Sequence, residues 1–124
     1  MNNSNKITLI LGASTNPSRY AYIAAERLLA NNHSIYLLGA KANELFGEVI
    51  HTEFPPIADK IDTITIYLSV KNQFDYYENI IDSKPRRVIF NPGSENHEFA
   101  ALLKENNIEV LFACTLVLLS TRQY

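Results

Sequence analysis

The hydrophobic positions of this chain fall into two kinds of stretch that alternate. Short, nearly unbroken apolar runs are separated by longer segments whose apolar residues recur at helical spacing. Ile7 to Leu11 is the first apolar run, of the kind a strand buried on both faces requires. From Pro17 to Ala30 the period changes. Tyr20, Ile23, Ala24 and Leu28 share one helical face, while Arg19, Glu26 and Arg27 lie elsewhere. Pro17 suits the first turn of that helix, where its missing N–H is not needed, and Asn31-Asn32 suits its end. Ser34 to Leu38 predicts a second strand, followed by a loop at Gly39 to Ala42. Leu45 to His51 predicts a turn and a short extended piece.

Phe54-Pro55-Pro56 breaks the chain before a short segment ending at Asp62. Thr63 to Val70, rich in β-branched and aromatic residues, predicts the strongest strand. Asn72 is expected to cap the next helix, with Asp75 in its first turn. Phe74, Tyr77 and Ile81 form its core face beside Ile80, and Lys84-Pro85 ends it. Arg87 to Phe90 predicts another buried strand. Ser94 is expected to cap a helix over Glu95 to Asn106, Ile108 to Phe112 forms the last strand, and a short helix follows from Thr115. Strands alternating with helices imply an α/β, doubly wound, mainly parallel sheet with helices on both faces, because crossovers between parallel strands are right-handed. No repeat or linker interrupts residues 1–124, so one domain is expected, with residues 1–5 flexible.

Composition narrows the functional classes. Hydrophobic residues at 47% against 19% charged are values of a folded globular chain. A net charge of −2 and an isoelectric point near 5.9 leave no basic footprint for nucleic acid. One cysteine, Cys114, excludes an internal disulfide and fits a reducing, cytoplasmic setting. The N-terminus lacks an apolar signal segment, and the stretch around Leu116 to Leu119 is far too short to span a membrane. That stretch is also a candidate homodimer or partner-protein face.

The informative chemistry lies where the first strand runs into the first helix. Gly12-Ala13-Ser14-Thr15-Asn16-Pro17-Ser18-Arg19-Tyr20 occupies the junction at which free backbone N–H groups and a positive helix end meet an anionic ligand. In the register of the dinucleotide motif, its three glycine positions read Gly12, Ser14 and Pro17. Gly12 permits the sharp turn, Ser14 has a hydroxyl to donate, N–H groups from Ser14 to Ser18 are expected to point outward, and Arg19 can pair with phosphate. Beyond the second strand, an NAD site places an acid for the ribose. Gly39-Ala40-Lys41 stands there instead. Lys41 suits a phosphorylated ribose, as in coenzyme A or NADP, or is a solvated surface lysine.

Ser69 with Val70 and the turn Asn91-Pro92-Gly93 close the same end of the expected sheet. Tyr67 either faces a ligand there or packs in the sheet. His33, His51 and His97 lack metal-ligand spacing, no serine sits in a nucleophile elbow, and Cys114 has no activating neighbour in sequence. No catalytic set emerges.

Taken in order, GASTNPSRYA, FGEVIH, DTITIYLS, NPGSEN and ACTLVLLSTRQY resemble the small stand-alone CoA-binding-domain proteins of bacteria, over nearly the whole chain from Lys6. That resemblance implies a Rossmann-like fold similar to the CoA-binding domain of the succinyl-CoA ligase α subunit. It places Gly12, Ser14 and Arg19 at the CoA pyrophosphate, Lys41 near the adenosine end, and Ser69 and Val70 near the mouth. Asn91 to Asn96 would border the same cleft. The ligase's phosphohistidine belongs to a second domain that has no counterpart up to Tyr124. The expectation is therefore a CoA or acyl-CoA binding module without catalysis. An NADP-dependent enzyme, or an interaction domain with a vestigial nucleotide site, are the alternatives.

Overall fold

The computed structural model describes residues 6–56 and 60–124. The expectations for residues 1–5, and for residues 57–59 ahead of Asp62, lie outside these. Seven strands form one sheet in the order β3-β4-β2-β1-β5-β6-β7. They are β1 Ile7–Leu11, β2 Ser34–Leu38, β3 Asn43–Leu45, β4 Glu48–His51, β5 Ile61–Ile66, β6 Arg87–Phe90 and β7 Glu109–Phe112. Only β3 runs antiparallel to its neighbour; the other pairings are parallel. Among the described residues four α-helices accompany them: α1 Tyr20–Ala30, α2 Tyr77–Ser83, α3 His97–Glu105 and α4 Thr115–Ser120.

Alternate residues along each buried strand feed opposite faces, so the sheet carries two cores. Leu9, Leu11, Ile64, Ile66, Val88 and Phe90 pack with Tyr77, Ile80, Phe99 and Leu103 from α2 and α3. On the other face Ile10, Leu37 and Ile50 pack with Ala21, Ala25 and Leu28 of α1 and with Leu119 of α4. The doubly wound expectation holds for this reason.

Several local expectations do not. Pro17 stands outside α1, because Asn16 diverts the chain into a turn first: the Arg19 N–H donates to the Asn16 carbonyl at 3.0 Å. Proline's fixed φ suits the second position of such a turn. The buried stripe of α1 is Ala21, Ala24, Ala25 and Leu28, while Tyr20 is exposed. Alanines allow α1 to lie close on the sheet, and that rotates Tyr20 outward. The piece before His51 is a complete hairpin, β3 and β4, turned by Phe46 at φ +54° and Gly47 at φ +80°.

The strongest strand stops at Ile66. Val70–Asn72 and Phe74–Tyr76 are short 3₁₀ turns, so Asn72 caps no α-helix and Phe74 is exposed; Tyr77 and Ile80 are the buried residues of α2. Asn96, and not Ser94, caps α3, accepting the Phe99 N–H at 3.0 Å. Asn31 and Asn32 do end α1, with Asn32 left-handed at φ +66°. The Leu116 to Leu119 stretch is helical, with Leu119 turned to the core and Val117 exposed. Among the described residues no helix is long and apolar enough to cross a membrane.

Candidate functional site

The strand order reverses between β1 and β5: from β1 the chain passes to β2 on one side, and it returns to β5 on the other. Loops diverge there, and a crevice opens beyond the carboxyl ends of the strands. Its volume is about 540 Å³. Gly12, Ser14, Ser18, Arg19, Tyr20 and Ala21 form one wall, Tyr67 to Ser69 the floor, and Pro92, Gly93 and Ser94 the far wall. Among the described residues four serines and one cation line it, with no carboxylate. That balance favours an anion.

Gly12 permits a close approach to the β5 exit. Its φ is +98°, and a Cβ there would stand 3.1 Å from both Leu68 Cδ2 and the Tyr67 carbonyl oxygen. The turn after β1 is pinned from the other side as well. The Gly12 and Ala13 N–H groups both donate to the Leu38 carbonyl, at 2.9 and 3.0 Å. Gly39 lies so close to the Ala13 carbonyl that a Cβ would come within 2.8 Å of it. Three loops are thereby locked together by backbone contact.

The expected row of free N–H groups from Ser14 to Ser18 is not what forms. Asn16 N–H donates to Ser14 Oγ, and Ser18 N–H to Asn16 Oδ1, each at 3.0 Å. Short polar side chains compete for the backbone here, a familiar property of serine and asparagine. Asn16 and Pro17 therefore build the turn and do not line the cleft. The Tyr20 and Ala21 N–H groups, at the first positions of α1, have no carbonyl one turn earlier in the helix. Ser14, accepting through Oγ, keeps its own proton to donate. Arg19 is exposed, at the helix entrance, and among the described residues pairs with no acid.

The remaining expected residues divide. Ser69, Pro92 and Gly93 reach the cleft, whereas Val70 is exposed beside it. Ala40 and Lys41 are exposed in the loop after β2, next to the Gly12 turn but outside the cleft lining. Asn91 is spent on the fold. Its Nδ2 donates to Thr65 Oγ1 at 2.6 Å and to the Ile66 carbonyl at 3.0 Å, and its Oδ1 accepts from the Thr115 N–H at 2.8 Å. Tyr67 walls the cleft, and its hydroxyl is buried with no hydrogen-bond partner among the described residues. Burial pushes its phenol up to about 12, so it is a protonated donor at neutral pH.

Gln73 escaped the sequence reading. Fully buried, it donates through Nε2 to the Leu68 and Ser94 carbonyls, both at 2.9 Å, and accepts from Asn96 Nδ2 at 3.0 Å. One side chain thus fastens the floor of the cleft to its far wall. Its only signal in the sequence was a glutamine placed just after a strand exit.

Solved structures share this architecture. An uncharacterised protein, 46% identical, superposes with a TM-score of 0.92 over 98% of this chain and 100% of its own. A Thermus thermophilus protein, 24% identical, gives 0.84 over 96% and 90%. An acetyl-coenzyme A synthetase from Ca. Korarchaeum cryptofilum, solved with phosphate and ADP, is 19% identical and gives 0.72. That likeness covers 90% of this chain and 26% of the synthetase, and shows the fold alone. No curated protein matches the chain. The model of the CoA binding domain family matches residues 6–120, so with its Rossmann-like sheet this chain belongs to the CoA binding domain family.

Proposed function

We propose that the chain binds coenzyme A, free or acylated, in the cleft between the β1 and β5 loops. The observation that carries this reading is a crevice at the strand-order reversal whose charged lining is Arg19 alone. The pyrophosphate sits against Arg19, the Ser14 hydroxyl and the N–H groups that open α1, where charge and free donors coincide. Lys41 lies toward β2 and faces the phosphorylated ribose. The pantetheine arm runs the other way, over Tyr67 to Ser69 and along Pro92 and Gly93. In this reading the protein acts as a binding module, and among the described residues the cleft lining pairs no nucleophile with a base.

Calorimetric titration with CoA, dephospho-CoA, NADP and NAD tests the reading. CoA should bind, and at a concentration 100-fold above its Kd should stabilise the fold by about 2.7 kcal/mol. Arg19→Ala should weaken CoA about tenfold or more with no change in unfolding midpoint, as expected for losing a charge-assisted bond to phosphate. Lys41→Ala should remove the difference between CoA and dephospho-CoA. Binding of NADP in preference to CoA would move the assignment to a dinucleotide. No binding of any CoA species near millimolar concentration sinks it.

A further inference from the structure

A second, smaller pocket opens beside the cleft on its β6 and β7 side. Tyr20, Tyr67, Asn91, Pro92 and Cys114 line it, and its volume is about 170 Å³. Tyr20, Tyr67 and Pro92 belong to both spaces, so the pocket adjoins the cleft. No acidic, basic or histidine side chain is among the five. Asn91, the most polar of them, has its amide committed to Thr65, Ile66 and Thr115. Apart from Asn91, the lining is two tyrosines, a proline and a thiol.

Its place in the sheet fits the proposed ligand. Neighbouring strands lie about 4.8 Å apart, so the loops after β2 and β7, four strands apart, are separated by roughly 19 Å. A long molecule with its phosphorylated ribose at the β2 loop and its pyrophosphate at β1 must carry its sulfur end toward β6 and β7. Cys114, two residues past the end of β7, lines the small pocket on that side. An apolar cavity of about 150 Å³ accommodates a six-carbon ring. The pocket thus has room for a short acyl chain and none for a long one, and offers a carboxylate no counter-ion.

Resting on the CoA reading above, we propose that this pocket receives the acyl group of short, uncharged acyl-CoA thioesters. The protein then discriminates among thioesters by the length and charge of the acyl chain.

Titration of the full chain with CoA, acetyl-, butyryl-, succinyl- and decanoyl-CoA tests this. Each methylene buried is worth about a fourfold gain, so butyryl-CoA, with two more methylenes, should bind about 15-fold more tightly than acetyl-CoA. Succinyl- and decanoyl-CoA should gain nothing over CoA. Cys114→Phe fills the pocket and should bring the butyryl-to-acetyl ratio to about one. Cys114→Met serves the same end with less bulk if circular dichroism shows the first variant unfolded. Equal affinity for acetyl- and butyryl-CoA, or a succinyl gain matching the butyryl gain, overturns the acyl pocket and leaves CoA binding standing. A folded variant that keeps the full butyryl-to-acetyl ratio overturns the assignment to this pocket. Failure of every CoA species to bind overturns both readings.

Discussion

Gly12 shows how much one position can demand. Its left-handed backbone is strained for any L side chain, and the space a Cβ needs is held by Leu68 and the Tyr67 carbonyl. Gly12→Val should therefore lower stability by about 2 kcal/mol or more in urea unfolding, and abolish detectable CoA binding, because the turn must move away from β5. This glycine was legible in the sequence from its place after an apolar strand. The role of Asn91 was not. A polar residue at a strand end is equally at home facing a ligand or tying loops together, and only its three hydrogen bonds to Thr65, Ile66 and Thr115 show that the fold uses it.

The elements follow the same division. Strands β1, β2 and β6 have the bounds that their apolar runs predict, since a doubly buried strand needs such a run and little else has one. Helix starts are less legible in the sequence. Asn16 and Asn96 each decide where a turn ends or a helix begins, and neighbouring serines are nearly as good at that task. The 3₁₀ turns after β5 were missed because β-branched and aromatic composition extends to Val70, past the last paired residue. Gln73 is what holds that segment, bridging the β5 and β6 exit loops. Gln73→Leu should destabilise the protein by about 3 kcal/mol in urea unfolding, since two carbonyls lose the Gln73 amide and the Asn96 amide keeps only the Tyr77 hydroxyl. It should also weaken CoA binding, as the floor and far wall of the cleft separate.

At the scale of the whole molecule, the C-terminus folds back onto the far end of the sheet from the cleft. Tyr124 bonds its hydroxyl to Thr8 Oγ1, the buried Arg87 guanidinium lies 4.5 Å from its ring centre, and His33 meets it edge-on. Burial, and then the charge of Arg87, hold the His33 imidazole below its usual 6.5. The unfolded chain therefore binds a proton more readily as pH falls past 6.5, so this contribution is complete above that pH and is lost on acidification. Asp62 adds a second loss. Burial opposes its ionisation, but hydrogen bonds from Arg86 and Thr63 outweigh that and keep its carboxyl below 3.8. Urea midpoints should drop between pH 7 and 5.5, and again below about pH 4. His33→Gln should flatten the first step and leave the second.

Sequence patterns alone carry the layered α/β plan, and they mark the carboxyl end of the sheet and the turn after β1 as the candidate site. Those depend on local patterns: unbroken apolar runs, helical spacing, and a glycine between strand and helix. Tertiary structure decided which groups remain free to bind. Backbone N–H groups at Asn16 and Ser18 are consumed within their own turn, and Asn91 is consumed between strands. Arg19, Ser14 and the first N–H groups of α1 remain. Hydrogen bonds and close packing are contests among neighbours in space, and only the folded chain brings those neighbours together.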